Sequence, residues 1–231
     1  MATYRWLWFS AVGLLACHTP RSAPPASAAV SSEVPPSSRG CRTSIEKRES
    51  EAGCFLTLAV TAGPFEASRV YWHLYTYPSA TAAESARGTG TTVHSFGRHW
   101  VYTLGAKEWH PPSGSRVALV GPLSVEPGRA YTARYMEAVF PEDYRTPLVG
   151  HRHSGAEAWY VLEGGQCLET PDSVIVARAG QGAVVPSGPP MSIAGYGPGT
   201  RKAVLLVLHP DQEEWVTQAP DWTPQGKCGR K

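Results

Sequence analysis

Charged residues are scarce in this sequence. The 21 Lys and Arg and the 19 Asp and Glu make up 17% of 231 positions, and the net charge is +2. The basic residues are scattered, and no basic stripe alternates with aromatic residues, so we expect no nucleic-acid partner. The signatures GxSxG, GxGxxG and the P-loop are absent as well, which removes the simplest hydrolase and nucleotide-binding interpretations.

Cysteine is also sparse, with five residues and no CxxC pair or zinc-ribbon spacing. The cysteines are therefore not expected to be metal ligands. If Cys17 is removed or lipidated, four remain: Cys41, Cys54, Cys167 and Cys228. In an exported chain these permit two disulfides in any of three pairings, or one bridge or none. A bridge from Cys228 would fasten the C-terminal tail.

One long apolar run stands at the N-terminus. Arg5 and the following apolar residues predict a signal peptide over 1–17, too short to span a bilayer comfortably. Leu14 to Cys17 resembles a bacterial lipobox with Cys17 as the lipidation site, whereas cleavage near Ala26 to Ala29 would give an unanchored protein. Residues 18–40 are mostly Pro, Ser and Ala and predict a disordered tether. We expect an exported protein of the periplasm or cell envelope, held to the membrane only by a lipid anchor.

Long helical patterns are missing from the rest of the chain, whereas its 23 Gly and 21 Pro separate short runs rich in Val, Tyr, Trp and Thr. This pattern favours a mainly β fold. Residues 41–125 contain five strand-like runs and one Ala-rich segment, Pro78 to Gly88. There Ser79 is a suitable N-cap and Gly88 a suitable C′ residue for a short helix. We predict a small N-terminal α+β layer, either a separate subdomain or extra strands laid against the C-terminal half of the protein.

From 126 to 217 the pattern is purely β. Six short strand-like runs, joined by Gly and Pro turns, predict a barrel or jelly roll. Residues 218–231 are left as a C-terminal tail.

Three residues at the start of this region carry the clearest chemical signal. His151 and His153 lie two positions apart, so both side chains point to one face of an extended strand. Glu157 comes after a connection containing Ser and Gly, which permits a bend that brings its carboxylate alongside. Two imidazoles and one carboxylate suit a divalent transition metal such as Fe, Mn, Zn or Ni.

These residues carry a family resemblance. The stretch from His151 to Gly164 resembles the first motif of the cupin superfamily, with both His, the Glu and the final Gly in register. The stretch from Gly180 to Met191 resembles the second motif at a typical spacing. The resemblance implies a cupin-type jelly-roll barrel, and it covers roughly Glu126 to Val216, less than half of the chain.

The second motif departs from the family pattern at Met191, which stands where the family usually places its fourth ligand, a histidine. Three outcomes are possible. His151, His153 and Glu157 alone hold the metal and leave open positions; or the Met191 thioether also binds and favours a softer ion such as copper; or the metal is lost and the cluster hydrogen-bonds a ligand or itself.

Three further residues are candidates for the pocket. Trp159 alternates onto the same strand face as Glu157, where it lines the pocket or packs in the core. Tyr135 and Glu137 on the preceding strand are predicted to point inward, with Glu137 as a neighbour of the ligands or a proton acceptor.

Other polar residues are expected to lie apart from the site. His94 and His99 flank a Gly and are not expected on one strand face. His209 is interpreted as a turn residue at a strand end, and Arg134 and Arg201 as solvated surface charges.

The sequence thus predicts an exported cupin-domain protein that binds a divalent transition metal. Oxygenase, or metal-assisted isomerase or lyase, activity on a small organic molecule is the expected chemistry. The alternative is a metal-free, non-catalytic cupin that binds a small molecule at the envelope. A third interpretation is a structural envelope protein whose barrel forms a homodimer.

Overall fold

The structure is a computed structural model that describes residues 41, 43–47, 52–142 and 150–228. These residues all fall in one compact unit, Val34–Lys231. The predicted signal peptide, Cys17 and the tether lie outside the described residues. Within the described ranges, no helix has the length and apolar character needed to cross a membrane.

The described elements are almost entirely strands, which confirms the predicted mainly β class. In chain order they are a 3-10 helix Ile45–Lys47, β1 Gly53–Ala62, β2 Arg69–Tyr77, α1 Ala80–Ala86, β3 Thr91–Ser95, β4 Arg98–Gly105, β5 Ser115–Ser124, β6 Tyr131–Phe140, β7 His151–His153, β8 Ala156–Glu163, β9 Gly165–Glu169, β10 Val174–Arg178, β11 Gly182–Val185, β12 Ser192–Gly195, β13 Arg201–Pro210 and β14 Val216–Gln218.

The eight strands from β6 to β13 form a jelly roll. One sheet has the order β6-β13-β8-β11, and the other has the order β10-β9-β12. Strand β7 completes the second sheet through a backbone pair just before β12, in which His151 and Met191 exchange hydrogen bonds of 3.0 and 2.8 Å. Two facing antiparallel sheets that take up the eight strands in this alternation are the arrangement of a jelly roll.

The space between the two sheets is filled with apolar side chains. Strand alternation sends every second residue of β6, β8 and β13 into it. The largest members of this interior cluster are Trp159, Trp215, Phe140, Met136 and Met191, all buried. Burial of each such side chain stabilises the fold by roughly 1.5–3 kcal/mol.

The N-terminal residues extend and cover the barrel. Strand β1 pairs with β6 and widens the first sheet of the barrel to five strands. A separate N-terminal sheet of order β3-β4-β2-β5 packs on the outer face of this first sheet. Trp72 and Tyr102 from this sheet share one core cluster with Tyr135 and Leu206 of the barrel. The arrangement is that of extra strands laid against the barrel. The outer face of the first sheet is therefore buried as well as its inner face, which explains why the apolar run of β13 is almost unbroken.

The predicted helix is confirmed, and the structure selects one of the cysteine pairings that the sequence left open. Helix α1 begins after Ser79, whose side chain accepts a hydrogen bond of 3.1 Å from the backbone of Ala82. The four described cysteines form two disulfides, Cys41–Cys54 and Cys167–Cys228. The second bridge ties the end of the tail to β9.

Candidate metal centre

The bend between β7 and β8 brings His153 and Glu157 together. Their side chains are only 4% and 3% exposed, and His153 Nε2 lies 3.8 Å from Glu157 Oε2. Gly155 makes this turn possible, because a Cβ at that position would lie 1.8 Å from the backbone oxygen of Leu208. The close passage of the bend along β13 directs both side chains into the same end of the barrel.

His153 is held in one orientation by Trp215. Its Nδ1 lies 2.9 Å from the Trp215 carbonyl oxygen, and since a carbonyl only accepts, Nδ1 carries the proton. The lone pair of Nε2 is therefore directed towards Glu157. Burial, together with the neighbouring imidazole of His151, lowers the pKa of His153 to about 3. The ring is neutral, which is the form that binds a metal ion.

Glu157 carries a buried oxygen that the described residues leave unsatisfied. Its Oε2 has no hydrogen-bond partner among them. Burial raises the pKa of Glu157 to about 7, although the guanidinium of Arg201 and the indole N–H of Trp159 oppose this shift. The raised pKa means that these two groups offset only part of the cost of burying the carboxylate, so a cation at this position would stabilise it.

His151 lies next to this pair without joining it. Its ring centroid is 5.1 Å from that of His153, with the planes at 81°. Within the part of the chain that the structure describes, no three His, Cys, Asp or Glu side chains converge on one point. Met191 pairs with His151 through the backbone, while its fully buried side chain belongs to the barrel interior.

Comparisons with known proteins give structural likenesses only. No protein-family model and no curated protein matches this chain. A cupin superfamily protein from Desulfitobacterium hafniense is 16% identical over 38% of this chain and 73% of its own, with a TM-score of 0.28. A cupin-like protein from Thermotoga maritima is 12% identical over 38% of this chain and 64% of its own, with a TM-score of 0.34. This chain therefore spans less than two thirds of that protein. A cupin-2 domain protein from Shewanella frigidimarina is 21% identical over 38% of this chain and 76% of its own, with a TM-score of 0.25.

The strand order and the meeting of the two motif segments decide the fold. His151 of the first motif and Met191 of the second are backbone partners, in a pair that links β7 to the residue just before β12. The barrel is a cupin-type jelly roll. Within this cupin barrel, Trp159 points to the interior, as strand alternation from Glu157 predicts. Its role in a pocket stays a prediction.

The prediction that Tyr135 and Glu137 point into the cupin barrel is wrong. Met136 and Ala138 face the interior, and Tyr135 lies in the core on the outer face, beneath the N-terminal sheet. Glu137 accepts a hydrogen bond of 2.7 Å from Ser95 Oγ of β3. Because both faces of β6 are buried, its sequence does not reveal which set of alternating residues faces inward.

Three residues beyond the motifs, Arg134, His209 and Trp215, adjoin the candidate site. Arg134 Nε donates to His209 Nε2 at 3.2 Å, and the Arg134 guanidinium lies 5.3 Å from the ring centroid of Trp215. Together with Thr132, Asp211, Glu213 and Glu214 these three residues line a polar cavity of about 460 Å³. His209 is 3% exposed, so its interpretation as a turn residue is wrong. Strand alternation from Leu205 and Val207 on β13 could have predicted that the His209 side chain points inward. No pattern in the sequence indicated that Trp215 would lie beside His153.

Arg201 is likewise buried and not a solvated surface charge. It is 3% exposed and begins the inward-facing set of β13 at the opposite end of the cupin barrel. Its guanidinium donates to Gln166 Oε1 and lies 3.9 Å from the ring centroid of Phe140. The aromatic face and the amide oxygen compensate the buried charge.

His94 and His99 lie apart from the candidate site, as expected, and pair with each other across the hairpin of β3 and β4. Phe96 and Gly97 have φ angles of 50° and 68°, which build a two-residue hairpin turn between β3 and β4. The turn sets the two histidines opposite each other, with their Nδ1 atoms 3.4 Å apart. The turn makes them cross-strand partners rather than neighbours along one strand.

Proposed function

We propose that this chain is an exported cupin-fold protein that binds a divalent transition metal ion inside its barrel through His151, His153 and Glu157. The observation that carries the proposal is the unpartnered Glu157 Oε2, which lies 3.8 Å from His153 Nε2. Two ligand atoms bound to one ion at about 2.0–2.2 Å are separated by roughly 3–4 Å at common coordination angles. The two atoms therefore fit ligands of one ion.

His151 is the proposed third ligand. Its ring lies beside that of His153, with 5.1 Å between the ring centroids. Two imidazoles and a carboxylate suit Fe, Mn, Zn or Ni, and the apolar surroundings of the Met191 thioether give no reason to invoke a softer ion. When bound, such an ion supplies Lewis-acid or redox chemistry at its open positions. The reaction class that fits is an oxygenase, or a metal-assisted isomerase or lyase, on a small organic molecule.

Export is supported by two independent features. The N-terminal sequence resembles a lipoprotein signal peptide ending at Cys17. The disulfides Cys41–Cys54 and Cys167–Cys228 suit an oxidising compartment such as the periplasm.

Elemental analysis of untagged protein tests the metal proposal. We expect near-stoichiometric transition metal in the wild type and its loss in a His153→Ala, Glu157→Gln double variant. The matched control is His94→Ala, His99→Ala, which removes two imidazoles from the outer hairpin and should keep the metal. Equal metal content in all three proteins would overturn the proposal.

The alternative is a metal-free cupin that binds a small molecule. It is favoured by the lack of convergence of three ligating side chains among the described residues, and by Met191 at the usual fourth position. Here Glu157 and His153 would hydrogen-bond the ligand. Native mass spectrometry of the purified protein separates the two functions. A bound organic species without metal supports the alternative, whereas a mass increment of one metal ion contradicts it.

A further inference from the structure

Trp215 contacts His153 in two ways. Its backbone carbonyl accepts the Nδ1 proton, and its indole stacks on the imidazole with 5.5 Å between centroids and 17° between planes. The indole is 4% exposed, and the Arg134 guanidinium also contacts it. The imidazole therefore has its position fixed by a residue that belongs to neither motif.

The segment after Trp215 is paired with the strand that carries the histidines. Strand β14 runs antiparallel to β7, with Val216 opposite His153 and Gln218 opposite His151. Ala219 N extends the ladder by donating to Gly150 O at 2.9 Å. Strand β7 is only three residues long, so β14 supplies a large share of the backbone pairing that keeps it in place.

The remainder of the tail is fastened to strands β7 and β9. Arg152 makes two hydrogen bonds to the Asp221 carboxylate, one of them 2.7 Å long. Glu169 accepts hydrogen bonds from the backbone N–H groups of Gln225 and Lys227. The disulfide Cys167–Cys228 closes the tail onto β9.

We propose that residues 215–228 are a positioning element of the metal centre, in which Trp215 holds His153 in the Nδ1–H tautomer with Nε2 facing Glu157. The inference rests on the proposed function only in naming a metal ion as the partner that Nε2 binds. A hydrogen bond from the second ring nitrogen to a carbonyl fixes the tautomer of a ligating histidine, and its loss typically weakens metal affinity by roughly tenfold to hundredfold.

The first test needs neither a variant nor a metal. The ¹⁵N chemical shifts of His153 in the metal-free protein report which ring nitrogen carries the proton. We expect a protonated Nδ1 and an unprotonated Nε2, because the Trp215 carbonyl accepts only from a protonated nitrogen. A wild-type His153 protonated at Nε2 would overturn the inference, whatever the metal content.

The second test measures Zn²⁺ affinity by competition with a chromophoric chelator. We expect affinity to fall roughly tenfold in Trp215→Ala, which keeps the backbone carbonyl but removes the indole stacked on the imidazole. The loss should be smaller in Trp215→Phe, which keeps a flat ring against the imidazole. A Cys167→Ser, Cys228→Ser double variant should also bind more weakly, whereas the matched Cys41→Ser, Cys54→Ser control should bind as the wild type does.

The outcomes separate the two proposals. Wild-type affinity in Trp215→Ala, or equal weakening in both cysteine double variants, contradicts the positioning role. If the tautomer is as expected and the wild type binds no Zn²⁺, the proposed metal function fails while the positioning of His153 by Trp215 stands.

Discussion

The imidazole of His153 lies nearly parallel to the indole of Trp215, and the two residues are 62 positions apart in the chain. A motif at the start of the barrel is thus completed by a residue beyond its last long strand. The candidate centre depends on the first motif for its ligands and on the C-terminal segment for their orientation.

Removing the metal should destabilise the wild type and leave Glu157→Gln unaffected. A ligand at one hundred times its Kd stabilises a folded protein by about 2.7 kcal/mol, provided that it does not bind the unfolded chain. Thermal melting with EDTA and with excess Zn²⁺ measures the difference. Glu157→Gln should melt at one temperature in both conditions. A Zn²⁺-dependent shift of wild-type size in this variant would show that the ion binds elsewhere.

Gly155→Ala should be strongly destabilising. The added Cβ would meet the backbone oxygen of Leu208 and push the bend away from β13, at a cost of about 3 kcal/mol. Urea denaturation gives the free energy of unfolding. Gly195→Ala is the control, because a Cβ there meets nothing within 4 Å. Similar losses in both variants would contradict the close passage of the bend.

Glu137→Ala should lower stability without changing metal content. Its carboxylate is buried on the outer face of the barrel, where it accepts from Ser95 Oγ, and losing a buried hydrogen-bond partner costs about 1–3 kcal/mol. In a double-mutant cycle with Ser95→Ala the losses should be less than additive. Metal loss in Glu137→Ala would instead place this carboxylate at the centre.

His73 should make the fold sensitive to acid. Burial lowers its pKa from the ordinary value of 6.5, while its Nε2 lies 2.8 Å from the carbonyl oxygen of Ala106. A depressed folded-state pKa means that the stability is fully present above pH 6.5 and is lost as the pH falls through the folded-state pKa. His73→Gln should flatten this loss in urea titrations between pH 7 and pH 4. The exposed His110→Gln is the control, and an equal flattening there would contradict the assignment.

Much of the fold was accessible from the sequence because its signals are local. Ser79 caps α1 through a bond to a residue three positions away, and Gly and Pro mark most strand ends. His153 and Glu157 are four positions apart across a bend, so their meeting also depends on nearby residues. The motif spacing in turn predicted that two distant segments share one barrel.

Other features escaped sequence reasoning because each depends on a partner far along the chain. The inward set of β6 could not be identified, since the N-terminal sheet buries the opposite face and leaves Tyr135 as buried as Met136. The burial of His209 and Arg201 results from closure of the barrel around β13.

The amino-acid sequence by itself determined most of the strands and turns of this protein and marked its candidate metal ligands, because these features depend on the chemistry of neighbouring residues. Tertiary structure alone decided which cysteines pair, which face of β6 is inside, and that Trp215 holds His153. Such choices are made by packing and hydrogen bonding between elements distant in the chain, where the free energy of burial selects one arrangement among several that the local sequence permits.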